Sequence, residues 1–207
     1  MIRRLLTHLR SDRKGATILE FALIAPVALL MLLGFFEVTY QAYIQSVLTG
    51  AVRKAGRDGG IEGGGNKWAA IDAAVLAQIQ RANPQATQAQ PSTHLSYAAF
   101  TGVKVPEKFT GSGSTYNAAT DCFTDTNGNG VWDADQGVSN SQGGASDVAV
   151  YTYYIQYPRL FPLLGWVNWG RTANLSATTM LVNQPYATQS ATSPKTCCPG
   201  SPSIVCS

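Results

Sequence analysis

The residues best placed to do chemistry lie mid-chain, in the run Asp125-Thr126-Asn127-Gly128-Asn129-Gly130-Val131-Trp132-Asp133-Ala134-Asp135-Gln136. Side-chain oxygens recur at its first, third, fifth and ninth positions (Asp125, Asn127, Asn129, Asp133), glycine fills the sixth, and the Val131 carbonyl falls at the seventh. That spacing wraps oxygen ligands around a hard cation in calcium loops of the EF-hand type. The twelfth position carries Gln136, which cannot replace a bidentate glutamate, and Asp135 beside it is the nearest substitute. The loop therefore reads as a weak structural calcium site. The same residues also make Asx turns that need no metal.

Cysteine is the second chemistry on offer. Cys122, Cys197, Cys198 and Cys206 show no C-x-x-C spacing of the kind that holds zinc or a redox pair, so disulfides in an oxidising compartment are the expectation. Adjacent cysteines bridge each other only with strain. Cys122 is accordingly expected to reach one of Cys197 and Cys198, and Cys206 the other. Catalysis finds little support: His8 sits in a basic leader, His94 stands alone, and the runs Gly59-Gly60 and Gly63-Gly64-Gly65 lack the Lys-Ser/Thr of a phosphate cradle. No enzyme is expected.

The elements that would carry these residues begin with an apolar block, Ala16 to Phe36, whose only charge is Glu20. At about 1.5 Å per residue it spans roughly the 30 Å of a bilayer's hydrocarbon core, so it reads as a transmembrane helix, bent at Pro26. Ahead of it, Arg3, Arg4, Arg10, Arg13 and Lys14 outweigh Asp12, which places residues 1–15 in the cytoplasm. The net charge of +3 is concentrated there and the remainder is near neutral. A nucleic-acid binder would spread its basic residues over a folded face, so none is expected.

Past Phe36 the helical period continues over residues 37–57, with Tyr40, Ile44, Val47, Ala51 and Ala55 on one face and Gln41, Gln45, Thr49 and Arg53 on another. Gly56, Gly59, Gly60 and the run Gly63-Gly64-Gly65 are expected to end it. Residues 58–184 read as an α+β domain. A helix is predicted from Asn66, as N-cap, to Arg81, with Ile71, Val75 and Ile79 inward. A strand is predicted between Pro91 and Pro106 (Leu95, Tyr97, Ala99, Thr101, Val103 and Val105 on one side), a loop from Thr110 to Asp147, and two strands, 148–157 and 171–183, pairing antiparallel. The apolar connection Leu160, Phe161, Leu163, Leu164, Trp166 and Trp169 is expected to fold over the sheet's open face, the alternative being a contact with lipid headgroups or a neighbouring subunit. Residues 185–207 read as a loosely ordered tail.

The stretch Gly15-Ala16-Thr17-Ile18-Leu19-Glu20-Phe21-Ala22-Leu23-Ile24-Ala25-Pro26, followed by Leu29, Leu30, Leu32, Leu33 and Gly34, resembles the signature of the TadE/TadG-like pilus-assembly proteins, the pseudopilins of tight-adherence pili. Residues 125–133, 148–157 and 175–183 resemble longer members. The resemblance implies a single-pass protein of the bacterial inner membrane with a periplasmic, pilin-like α+β domain and a small antiparallel sheet. It implies other pilin-like or Tad assembly proteins as partners, with the membrane itself, and a prepilin peptidase cutting between Gly15 and Ala16. Glu20 would then be the fifth residue and pair with the Ala16 amine of a neighbouring subunit. The chemistry agrees, since a carboxylate one turn inside a membrane helix is costly without a partner. The alternative is a membrane-anchored periplasmic binding module that uses the Asp/Asn loop.

Overall fold

A single helix, α1 (Lys14–Gly59), takes up 46 residues and continues through Pro26 without a break. The structure is a computed structural model and describes residues 14–60, 67–111, 113–141, 143–161, 170–183, 194–200 and 205–206. Residues 1–13 of the basic leader, the candidate N-cap Asn66, the glycine run after Gly60 and the tryptophans Trp166 and Trp169 lie outside them. The chain forms two compact units: Met1–Tyr43 with Pro158–Ala173, and Ile44–Tyr157 with Asn174–Ser207.

In the second unit the sequence pattern becomes a core. α1 buries Ile44, Leu48, Ala51, Val52 and Ala55, spaced three and four apart. Leu48 takes the central place expected for Val47, which is only half-buried. Gly56 does not stop the helix: a Cβ there would lie 2.6 Å from Thr179 Cγ2 and 2.8 Å from Leu181 Cδ1, so the missing side chain lets strand and helix meet. α2 (Trp68–Ala82) adds Val75 and Ile79, each worth about 1.5–3 kcal/mol on burial. It ends where Asn83 folds back, its side-chain oxygen accepting the Gln85 amide and its carbonyl accepting that of Ala86.

The main sheet has the order β3-β1-β4-β5, from β1 (Thr87–Tyr97), β3 (Val138–Ser139), β4 (Val148–Pro158) and β5 (Thr172–Val182). β1 runs antiparallel to both neighbours, from Thr87 opposite Gln156 to Tyr97 opposite Val148. Along β4 and β5, Arg159 donates to the Arg171 carbonyl and Thr152 bonds Thr178, the opposed numbering of an antiparallel pair. Tyr151, Tyr153, Ile155 and Tyr157 fill the core from β4.

Three expectations need correction. The strand between Pro91 and Pro106 starts at Thr87 and stops at Tyr97, and Phe100–Gly102 forms a 3₁₀ turn. Lys104 then adopts φ 57°, outside the range of a strand, while Val103 folds back against Tyr97, Val148 and Val150. The period-two pattern past Tyr97 thus belongs to a chain reversal. The expected loop 110–147 holds β3 and also β2 (Phe123–Asp125). The tail is not wholly loose, because β6 (Lys195–Cys198) pairs antiparallel with β2 and β7 (Val205–Cys206) with β6. Disulfides Cys122–Cys198 and Cys197–Cys206 replace the apolar periodicity such short strands lack. Phe109, Tyr116, Phe123 and Trp132 pack beside them, Tyr116 stacking on Trp132 at 5.0 Å.

Candidate functional site

The first half of α1 keeps no core of its own. Ile18, Phe21, Met31 and Phe35 are 70–73% exposed, and the helix is long and apolar enough to cross a membrane. Gly15 and Ala16 lie in its first turns and Pro26 within it, the missing proline N–H sitting on an exposed surface. Glu20 is exposed and, among the described residues, forms no hydrogen bond or ion pair. A carboxylate amid outward-facing Ile18, Leu19, Phe21 and Leu23 is the kind of group that finds its partner on another chain.

A second carboxylate on the same helix behaves oppositely. Glu37 is wholly buried, with Oε1 3.4 Å from Arg159 Nη1 and Oε2 accepting the backbone N–H of Leu160 at 3.1 Å and of Phe161 at 3.4 Å. Gln41, one turn on, accepts from the same guanidinium at 3.3 Å. Charge and backbone donors together offset the desolvation of Glu37, and they fix the start of the β4–β5 connection to α1. Sequence reasoning passed over Glu37. The available signal was its place on the stripe Glu37, Gln41, Ile44, Leu48 and Ala51, where a carboxylate demands a cation.

The Asp/Asn loop is held by its own side chains. Asp125 accepts the backbone N–H groups of Gly128, Asn129 and Gly130 at 2.6–3.2 Å. Asn127 and Asn129 both donate to Asp133, and Val131 donates its N–H to Asn129. Asp125, Asn127, Asn129, Val131 and Asp133 are thus gathered in one place. Asp135 turns away, both its oxygens accepting from the Tyr97 hydroxyl. A third carboxylate comes from outside the motif: buried Glu107 accepts from the Thr126 and Asp133 amides. Burial pushes its pKa up, opposed by those two hydrogen bonds. The oxygen donors fit a hard cation.

His94 is not alone. Its Nε2 lies 3.0 Å from Ser92 Oγ, which donates to Asp72; Tyr151 donates to the other Asp72 oxygen at 2.6 Å. Trp68 packs against the imidazole at 4.0 Å between ring centres, the two planes tilted by 35°. With Ser92 donating to Asp72, Nε2 supplies the proton to Ser92, and the buried Nδ1 has no partner. Burial lowers the His94 pKa, with Asp72 opposing. Serine sits between carboxylate and imidazole, so nothing activates its hydroxyl as a nucleophile and the cluster reads as a packing network.

Comparison with known proteins bears on the helix. Residues 15–57 match the model of the TadE-like protein family, whose members are pilus components. The match covers the apolar half of α1, Glu20, Glu37 and the buried stripe to Ala55. No curated protein and no solved structure matches the chain significantly.

Proposed function

We propose that this chain is a minor pilin or pseudopilin of a tight-adherence pilus, serving in adhesion or secretion machinery as a structural part rather than a catalyst. α1 would anchor it in the bacterial inner membrane, with the basic leader cytoplasmic and the α+β domain periplasmic, and associate with the helices of other pilin-like subunits. The supporting observation is Glu20: an exposed carboxylate without a partner among the described residues, on a helix segment apolar on all sides, inside the TadE-like match. Removal of residues 1–15 by a prepilin peptidase would create at Ala16 the ammonium such a carboxylate needs. In cells, Glu20→Ala should abolish piliation while the protein stays in the membrane fraction. Unchanged piliation would leave α1 as a mere anchor. Mass spectrometry of the membrane-extracted protein should find a terminus at Ala16; an intact leader in cells with active peptidase removes the processing step.

A calcium ion in the Asp125 loop is a second proposal. It rests on three carboxylates, Asp125, Asp133 and Glu107, brought together with no ion pair to a cation among the described residues. Bound there, the ion would neutralise the cluster and stiffen the loop. Calcium should raise the melting temperature of the detergent-solubilised protein, and Asp125→Asn should remove the rise; no response at millimolar calcium ends the proposal.

A further inference from the structure

Among the described residues the main sheet leaves one face largely open, and its side chains form a regular array. The register places Thr93 opposite Thr152, Gln90 opposite Tyr154 and Thr87 opposite Gln156. The bonds Arg159 to Arg171 and Thr152 to Thr178 continue those rows onto β5, adding Thr178, Ser176 and Asn174. Three strands thus present three rows: Thr93-Thr152-Thr178, Gln90-Tyr154-Ser176 and Thr87-Gln156-Asn174. Every member is polar and none is charged.

Part of this array is a groove of about 360 Å³ lined by Gln90, Tyr154, Gln156, Asn174 and Ser176, with Ala89, Ile155 and Leu175 completing its wall. That volume lies within the roughly 300–1,000 Å³ usual for small-ligand sites. The side chains of Gln90, Gln156, Asn174 and Tyr154 make no hydrogen bond among the described residues, so their donors and acceptors are available. From strand spacing and rise, the array measures about 10 Å across and 14 Å along.

We propose that this face binds a neutral oligosaccharide. The planar amides each offer a donor pair and an acceptor to neighbouring hydroxyls, and the Tyr154 ring in the central row offers a flat surface to the C–H face of a pyranose. An anionic polymer would require lysine or arginine, which the groove lacks; its aliphatic residues are few and Ile155 is fully buried, so an apolar ligand would find little wall. An extended peptide adding to the edge of β5 is disfavoured too, because Gln45 already donates to the Ser176 carbonyl at 3.0 Å. The inference is independent of the pilus reading, since it uses only the sheet.

The test is saturation-transfer NMR on the full chain in a zwitterionic, sugar-free detergent, with cellotetraose, laminaritetraose, mannotriose and chitotetraose as probes. At least one probe should bind equally well in low and high salt. Tyr154→Ala and the pair Gln90→Ala/Gln156→Ala should each weaken it by at least about tenfold, with the melting temperature unchanged. Absence of transfer from all four at millimolar concentration overturns the proposal. Binding indifferent to these substitutions, or abolished by salt, overturns it as well. So does displacement of the sugar signal by an extended peptide, which would make the face a strand-addition surface.

Discussion

Two carboxylates on α1 show how the same side chain takes opposite roles according to what surrounds it. Glu20 faces outward with no partner among the described residues, whereas Glu37 is enclosed by Arg159 and two backbone amides. Removing one member of a buried pair strands the other, at a cost of about 3–5 kcal/mol. Glu37→Gln or Arg159→Met alone should therefore lower the melting temperature of the solubilised protein sharply. The joint change Glu37→Leu/Arg159→Met should recover most of the loss, and two single losses that simply add would refute the pairing. His94 gives a pH prediction. Its pKa is lowered in the fold by burial, so below the unfolded value of about 6.5 the unfolded chain binds more protons, and stability falls as pH drops toward the folded value. Melting temperatures taken from neutral pH to about pH 5 should decline, and His94→Gln should flatten that limb. A wild-type curve flat over this range would show that the imidazole titrates freely.

At the scale of elements, the long periodic segments were legible: α1, the second helix and the strands 148–157 and 171–183 follow from period and residue type with ends shifted by a residue or two. The strands β2, β3, β6 and β7 were not, because two to four residues carry no period and their order comes from cross-links and a buried aromatic group. Glu37 shows the matching limit for the site. A carboxylate's partner 122 residues away in sequence is set by tertiary packing, which no local pattern reports. Gly56 reads as a terminator from sequence for the same reason. It should be tested as a packing residue: Gly56→Ala gains about 1 kcal/mol of helix propensity, but the new Cβ meets Thr179 and Leu181. The overlap should win by about 1–3 kcal/mol and lower the melting temperature. A rise would mean the strand yields.

Over the whole molecule, the two disulfides should contribute unequally. The chain-entropy relation gives about 4.5 kcal/mol for Cys122–Cys198, which closes 76 residues, and about 2.5 kcal/mol for Cys197–Cys206, which closes 9. Replacing the first pair by serine should destabilise the protein by about 2 kcal/mol more than replacing the second, measured by denaturant unfolding. Equal losses would show that the small sheet holds without its long tether. That tether also sets a timetable. β2 is made early and cannot pair until β6 follows, 72 positions on in the register of Thr124 to Thr196, so Cys122 must stay without its partner until Cys198 has been made. During that interval the surfaces of Phe123 and its aromatic neighbours lack their final cover. The stapled sheet therefore creates a waiting period during synthesis, in which early oxidation would find Cys122 before its native partner exists.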